Sequence, residues 1–418
     1  MTGLAEGFVD AFGDPDSLPD FPPIFETLTR MPPSFSISLA PAARGRYAKP
    51  SPGFQPPPPA IASQRSLFMD KNHRECPDCS DGLDRRRFLL TAGATAAAVA
   101  GLPLFAVPKV VAASTPSSPA ETAVKALYDM LTDDQRKTVC FDWDYKSDEN
   151  GLLRTHVSNN WQITKPNILS DFYTKKQQDV IHDVWKGVIN PDWYTRFLKQ
   201  LKDDTGGMEW GEQQSIAIFG KPGGDKFEFV ITGRHMTLRA DGHSVDHVAF
   251  GGPIFYGHAA SGFHEKVHHP GNVFWPQALE ANKVYQMLDP KQQAQALVEK
   301  RPHESAVGFQ GDKGTFPGIA VKELADEQKK ELQKVLSMLI EPFRKDDREE
   351  AMACLKKQGG LDHLSLAFYK DGDIGNDQEW DNWRLEGPSF VWYFRGEPHV
   401  HVWVNVADDP TVATNAKG

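Results

Sequence analysis

The sequence predicts an α+β fold made of two similar halves, each with helices first and antiparallel strands after them. In both halves, segments with helical periodicity precede segments in which apolar and polar residues alternate. A second observation is that Gly233–Gly252 aligns without a gap with Gly387–Asp409. This alignment matches His247 with His401, and each stretch is typical of a strand, a glycine turn and a second strand. We expect an internally duplicated domain whose halves pack their sheets about a pseudo-twofold axis.

The first half is predicted to contain three helical segments and two strands ahead of its hairpin. The helical segments, the first divided by an N-cap at Thr132, are Glu121–Thr138, Tyr173–Trp185 and Asp192–Lys202. The strands are Gln214–Phe219 and Phe227–Thr232. The second half repeats this order in Ala281–Leu288, Asp289–Gln293, Leu324–Ile340, Arg348–Lys357, Leu364–Phe368 and Trp383–Leu385.

Changes of composition divide the chain into seven segments. We expect a disordered or mis-assigned upstream segment at 1–68, a signal peptide at 69–113 and a linker at 114–120. The first half of the duplicated domain covers 121–252 and the second half 281–410, with a tail at 411–418. Between the halves, 253–280 mixes Gly, Pro, His and aromatic residues without a period, so we expect a loop connector that could form one wall of a site.

An export signal is predicted ahead of the folded part. Asp84-Arg85-Arg86-Arg87-Phe88-Leu89-Leu90, an Ala-rich apolar run and Val111-Ala112-Ala113 are typical of a twin-arginine signal peptide. If translation starts at Met69, residues 1–68 are upstream sequence outside the protein; a genuine extension is the alternative. A membrane anchor is disfavoured because Pro103 and Pro108 interrupt the short run. We expect a periplasmic or extracellular protein with no stable membrane insertion after signal removal.

Composition restricts the partners. A hydrophobic content of 40% over 418 residues is enough for a substantial core. The net charge is −10, and residues 1–113 contain as many acidic as basic side chains, so the rest of the chain carries the acidic excess. This argues against nucleic acid as a partner. Outside the leader only Cys140 and Cys354 remain, so at most one disulfide could form.

Histidines are the candidate metal ligands. In a strand from His399 onward, His399 and His401 share one face with Trp403 and Asn405, and the alternating valines form the opposite, core-facing side. Half of the 14 histidines fall between residues 235 and 269. We therefore predict a divalent transition metal (zinc, copper or iron) bound by residues drawn from a set of five candidates. These are His235, His247, His258, His399 and His401. Candidate carboxylate ligands or bases are Asp246, Glu386 and Asp408.

Three functions fit these observations. The first is an exported soluble protein with a histidine-rich, metal-binding cleft, acting as a hydrolase or oxidoreductase on a small-molecule or polymer substrate. The second is a periplasmic binding or structural protein without catalysis. The third is a zinc metallopeptidase, because His264-Glu265-Lys266-Val267-His268 matches the H-E-x-x-H pattern, in which both histidines bind zinc from one face of a helix.

Several short motifs resemble a bacterial family known as domain of unknown function 3500. They are the helix–Leu–Thr/Asp–x–x–Gln openings, Phe219-Gly220-Lys221-Pro222, Gly233-Arg234-His235, Gly252-Pro253-Ile254-Phe255-Tyr256-Gly257, Gly387-Pro388-Ser389 and His399-Val400-His401 followed by Asp408-Asp409. The resemblance covers about residues 121 to 410 and supports the duplicated fold without implying an activity. The family usually has Gly-His-His where this chain has Gly233-Arg234-His235, and Arg-Asp where it has Asp408-Asp409.

Overall fold

The computed structural model describes residues 114–416, so the predicted upstream segment 1–68 and signal peptide 69–113 lie outside the described residues. Eight α-helices lie within this part: α1 Pro119–Met130, α2 Asp133–Val139, α3 Lys175–Val188, α4 Tyr194–Asp204, α5 Trp275–Met287, α6 Pro290–Ala296, α7 Asp326–Ile340 and α8 Lys345–Lys357. The predicted helices of both halves are confirmed, including the division of the first one at Thr132.

Strands alternate with these helices in two runs. They are β1 Cys140–Phe141, β2 Lys146–Ser147, β3 Gly151–Leu152, β4 Gln214–Gly220, β5 Phe227–Gly233, β6 Met236–Ala240, β7 Ile254–His258, β8 Leu297–Val298, β9 Ile319–Ala320, β10 Ser365–Tyr369, β11 Asn382–Gly387, β12 Phe390–Arg395 and β13 Val400–Val406. One sheet of 11 strands has the order β1-β4-β5-β6-β7-β13-β12-β11-β10-β8, with β9 paired to β10. The outer pairs β1–β4 and β8–β10 are parallel, and β4 to β7 and β10 to β13 pair antiparallel. The α+β class is therefore confirmed.

The first run of strands, β1 and β4 to β7, and the second run, β8 to β13, join edge to edge in this sheet. β7 pairs antiparallel with β13, with Tyr256 opposite Val402. The expectation that each half has its own sheet, packed against the other, is therefore wrong, because the strands of both runs form one continuous sheet. The segment 253–280, expected to be a loop connector, contains β7 and the beginning of α5. Every residue of β7 is buried, and a strand buried on both faces lacks the alternation by which sequence indicates a strand.

The ungapped match between Gly233–Gly252 and Gly387–Asp409 holds only as far as the first strand of each stretch, β6 and β12. Met236 pairs with Tyr256, 20 residues later, whereas Phe390 pairs with Val406, 16 residues later, so the first hairpin has four extra residues between these equivalent pairs and a longer connection. His247 lies in that longer connection with a φ of 71°, not in a strand. This corrects the match of His247 with His401, because the insertion places His247 outside the ladder.

The helices lie against one face of the sheet and form the main core with it. The four valines of β13 belong to this core, as predicted from their alternation. On the opposite face, Trp403 and Phe255 pack with Val157 and Val307 from long loops, so the histidine face of β13 is also buried. No helix in residues 114–416 is both long and apolar enough to cross a membrane. Cys140 and Cys354 are free thiols.

Candidate metal centre

His235 is held in the tight turn between β5 and β6. Gly233 pairs with Met236, so Arg234 and His235 form a two-residue turn, and His235 has a φ of 49°. A positive φ is unfavourable for a residue with a Cβ and persists where neighbours fix it. Here the His235 backbone N–H donates to Asn160 Oδ1 at 2.8 Å. The turn therefore directs a buried imidazole toward β13.

His399 directly precedes β13 and His401 is its second residue, and both lie on the side of the sheet that does not contact the helices. Their rings are 4.7 Å apart between centroids, and the His235 ring is 5.1 Å and 4.9 Å from them. One ligand nitrogen from each of the three residues lies within 4.8 Å of the other two. We call His235, His399 and His401 the histidine trio. All three are at most 2% exposed.

The Nδ1 atoms of the histidine trio each have an acceptor. His235 Nδ1 contacts Asp204 Oδ2, and His401 Nδ1 contacts Glu304 Oε2 at 2.7 Å. His399 Nδ1 contacts the carbonyl oxygen of Phe263 at 2.9 Å. A carbonyl oxygen can only accept, and an ionised carboxylate can only accept, so these contacts place the proton of each neutral ring on Nδ1. Carboxylate and carbonyl partners of this kind orient metal-binding histidines in many proteins.

The Nε2 atoms then carry the lone pairs, and those of His235 and His401 face each other. His235 Nε2 and His401 Nε2 are 3.0 Å apart, and His399 Nε2 is buried without a hydrogen-bond partner among the described residues. Two nitrogen ligands at 2.0–2.1 Å from a tetrahedral zinc ion would be about 3.3 Å apart. The arrangement therefore suits a shared cation, which satisfies three otherwise opposed lone pairs.

Burial keeps the rings neutral. Burial, followed by the neighbouring His235, lowers the pKa of His399 to about 3. Burial and then the Arg395 guanidinium hold the pKa of His401 well below its usual value, and burial lowers the pKa of His235 although Asp204 opposes this. Burial disfavours the Asp204 carboxylate, but its contacts with His235 and Arg234 still hold its pKa below the usual range. Neutral imidazoles beside ionised carboxylates are the protonation states that metal binding needs.

Each carboxylate that holds a histidine is also paired with an arginine. Arg234 binds Asp204 with Nε and Nη2 at 2.9 and 3.1 Å. Arg395, the cross-strand partner of His401, has its Nη1 3.2 Å from Glu304 Oε2. Asn159 also donates to Glu304 Oε1 at 3.0 Å. The carboxylates are thereby fixed and charge-balanced.

The comparisons with known proteins identify the family of this chain. Residues 113–407 match the family described as "Protein of unknown function (DUF3500)". The chain belongs to this family. No curated protein and no solved structure matches the chain.

The other predicted histidine ligands of this DUF3500 member lie outside the histidine trio. His247 Nδ1 contacts Asp408 Oδ1 at 2.8 Å, and its side chain is half-exposed. His258 is the cross-strand partner of Val400, so its buried ring lies on the helix side of the sheet, opposite His401. The structure thus brings together three of the five predicted residues and separates the other two.

The H-E-x-x-H stretch of the DUF3500 chain does not form the peptidase geometry. Residues 264–268 are irregular rather than helical, so the two histidines do not share a helical face. Glu265 accepts hydrogen bonds from Ser261 Oγ at 2.6 Å and from the Ala260 N–H at 3.0 Å. This corrects the zinc metallopeptidase hypothesis, because the carboxylate it needs is used to hold a loop.

Sequence reasoning missed the carboxylates of the centre. The three candidates it named are engaged elsewhere: Asp408 with Lys357, Glu386 with Arg384, and the exposed Asp246 with His243 at 3.8 Å. Asp204 ends α4, and Glu304 lies in the segment between β8 and β9. The periodicity that predicts the helix near Asp204 does not indicate that this carboxylate contacts a histidine. The segment around Glu304 shows neither helical periodicity nor strand alternation.

A surface cleft of about 410 Å³ borders the centre of the DUF3500 chain. Its lining residues, mostly polar, are Asn160, Trp161, Gln162, Asn167, Met208, Glu212, Gln213, Gly233 and Arg234. Two of these residues contact the centre directly, since Asn160 accepts from the His235 N–H and Arg234 binds Asp204. His235 itself does not line the cleft, but residues that line it contact the His235 backbone and the Asp204 carboxylate.

Proposed function

We propose that this chain is a metalloprotein in which His235, His399 and His401 bind one divalent transition metal, namely zinc, copper or iron. The observation that supports this most strongly is the convergence of three neutral, buried imidazoles whose Nδ1 atoms are all occupied. Without a cation, the Nε2 lone pairs of His235 and His401 would face each other across 3.0 Å. Repulsion of this kind in a buried site is unfavourable, whereas nitrogen ligation by three histidines is common for these metals.

The number of protein ligands supports hydrolytic or oxidative chemistry as the role of the metal. Three protein ligands leave at least one coordination position for water or substrate, as in catalytic zinc sites. A bound metal would supply Lewis acidity, or redox chemistry if it is copper or iron. The protein's own residues would orient the ligands and shield them from bulk solvent. The arginines would balance the charges of the two carboxylates.

The experiment is elemental analysis of protein purified without a histidine tag. We expect about one metal ion per chain, lost in the His399→Ala/His401→Ala double variant. His247→Ala is the matched control, because His247 contacts Asp408 rather than the histidine trio, and it should keep the metal. Metal-free wild-type protein with an undisturbed fold would refute the proposal.

A second candidate is a binding or structural protein in which the metal stabilises the fold. The near-complete burial of the histidine trio, at most 2% exposed, favours this role. Chelation separates the two candidates. A structural metal predicts a large fall in melting temperature on chelation, while a catalytic one predicts loss of activity with a smaller fall.

We also infer that the domain arose by internal duplication. The strand order supports this, because β1-β4-β5-β6-β7 and β8-β10-β11-β12-β13 run from opposite edges of the sheet to its centre. A repeated side-chain device supports it as well. Gln135 and Gln177 exchange amide hydrogen bonds between α2 and α3, and Gln292 and Gln328 do the same between α6 and α7.

Export by the twin-arginine route to the periplasm or the cell exterior is the proposed location. Its support is the sequence of residues 69–113, with paired arginines ahead of an Ala-rich apolar run. A reporter protein fused behind residues 69–113 tests it. Export should stop when Arg85 and Arg86 are both replaced by lysine, and export that continues would contradict the assignment.

A further inference from the structure

The charges around the histidine trio balance before any metal is counted. Asp204 and Glu304 each contribute one negative charge, and Arg234 and Arg395 each contribute one positive charge. The histidines add none, because an imidazole that binds a metal ion through its lone pair is neutral. A divalent cation bound by these rings would therefore leave a surplus of two positive charges in the site.

This surplus lies where water cannot screen it. Arg395 is 3% exposed and Glu304 is 8% exposed, and the histidine trio is buried deeper still. Uncompensated charge in a low-dielectric interior is costly, and it is relieved by a partner of opposite sign. Asp204 and Glu304 are already paired with arginine and histidine, so neither can offset the charge of the metal, whereas an anion from outside the chain can.

The cleft beside Arg234 offers a route for such a partner. Arg234 forms part of the cleft wall, and its side chain is 35% exposed although it also binds Asp204. Asn160 and Gly233 line the same cleft next to the His235 turn. An anion bound in this cleft would meet the Arg234 guanidinium, which binds the Asp204 carboxylate that contacts His235. Guanidinium groups bind carboxylate and phosphate oxygens with favourable geometry.

We propose that the remaining coordination position of the metal takes an anionic oxygen ligand, a carboxylate or phosphate group of the substrate that enters from this cleft. This inference rests on the proposed metal centre. It narrows the substrate to an organic anion and assigns Arg395 as a positioning residue for the anion.

Cobalt(II) provides the test, because its visible absorption reports both metal binding and changes of its ligands. The metal-free protein is loaded with Co²⁺ and titrated separately with acetate, phosphate and the neutral oxygen donor acetamide. The visible spectrum should change with acetate or phosphate, whichever group the site prefers, and stay constant with acetamide. A Co²⁺ spectrum that neither anion changes overturns this inference alone, while absence of Co²⁺ binding overturns the metal centre itself.

The Arg395→Gln variant separates a charge effect from a structural one. Removing the positive charge should weaken anion binding roughly 10- to 100-fold, the usual loss for one charge-assisted hydrogen bond, and leave Co²⁺ affinity equal or higher. Damage to the fold would instead lower both affinities, in which case Arg395→Lys, which keeps the charge, is measured. Lys221→Gln, an exposed charge removed at the far end of β5, should change neither. Equal anion affinity in wild type and in a folded Arg395→Gln variant overturns the inference.

Discussion

At the residue scale, the centre depends on the groups that orient each ring as much as on the rings. Glu304 contacts His401 Nδ1 at 2.7 Å and is itself held by Arg395 and Asn159. Asp204 has the same relation to His235 and Arg234. An amide in place of either carboxylate could still accept a hydrogen bond from the Nδ1–H group. It would lack the negative charge that makes the imidazole a stronger metal ligand.

Replacement of these carboxylates should therefore weaken metal binding without removing it. We expect Asp204→Asn and Glu304→Gln each to lower metal affinity by about 10- to 100-fold, measured by competition with a chelator. Asp203→Asn is the control, since Asp203 pairs with Lys199 instead of a histidine. Unchanged affinity in both variants would show that the two carboxylates do not support the ligands.

The absence of a side chain at Gly257 makes room for His235. A Cβ at Gly257 would lie 2.9 Å from His235 Cδ2 and 2.4 Å from the Val400 carbonyl oxygen. Gly257→Ala should displace the ring, reduce metal content below half of the wild-type value and lower stability by about 1–3 kcal/mol. Gly308→Ala, where a Cβ would meet nothing within 4 Å, should leave both unchanged. Full metal content in Gly257→Ala would contradict the tight packing of the ring.

Part of the centre could be predicted from the sequence, and the limit is one of distance along the chain. Alternation along one strand is local, so it placed His399 and His401 together on one face. Asp204 is 31 residues from His235 and Glu304 is 97 residues from His401, so only the fold brings them together. His247 was chosen from an ungapped match that a longer connection in the first hairpin invalidates.

At the element scale, the two glutamine pairs fix the helices at equivalent points of the two halves. Gln177 donates to the Met130 carbonyl oxygen at 2.9 Å and accepts from the Thr174 N–H. Gln328 makes the corresponding bonds, to the Met287 carbonyl oxygen at 2.8 Å and from the Ala325 N–H. Each side chain caps its own helix, α3 or α7, and also binds the last residue of α1 or α5.

Removal of either glutamine should therefore have the same effect. Gln177→Ala and Gln328→Ala are each expected to lower the free energy of unfolding by about 1–3 kcal/mol, because the helix cap and the bond between the two glutamines are lost together. Denaturant unfolding measures this, with the exposed Lys176→Ala as control. If only one variant is destabilised, the two devices are not equivalent.

A buried carboxyl in the turn before β11 predicts a pH dependence of stability. Burial raises the pKa of Asp381 to about 8, although the Ile374 N–H opposes this. The folded state therefore holds a proton that the unfolded chain releases near pH 4, so this residue's contribution to stability falls as pH rises from about 4 to about 8. Asp381→Asn should raise stability at pH 8 by about 1–3 kcal/mol and have little effect at pH 4. A constant difference between variant and wild type across this range would contradict the assignment.

The elements themselves were largely predictable, because caps and periodicity are local signals. Helices α2, α3 and α6 begin directly after Thr132, Thr174 and Asp289, whose side chains cap them. β7 could not be predicted, since both of its faces are buried and its residues show no alternation. Its pairing with β13 joins distant parts of the chain, which sequence periodicity does not encode.

At the scale of the whole molecule, the centre lies where the two runs of strands meet. β7 and β13 join the halves, His235 comes from the first run, and His399 and His401 come from the second. Metal binding would therefore tie both halves together. The equivalent turn of the second half has Pro388 and Ser389 in place of Arg234 and His235, so the trio includes no residue from that turn.

X-ray absorption spectroscopy of the purified, tag-free protein at the edge of its bound metal tests the central claim most directly. If the metal is zinc, we expect about three imidazole nitrogens at 2.0–2.1 Å and one additional nitrogen or oxygen ligand. In His235→Ala the imidazole signal should fall by one ligand or the metal should be lost. A ligand shell dominated by sulfur or carboxylate oxygen, or an imidazole shell that is unchanged in His235→Ala, would contradict the histidine trio as the metal site.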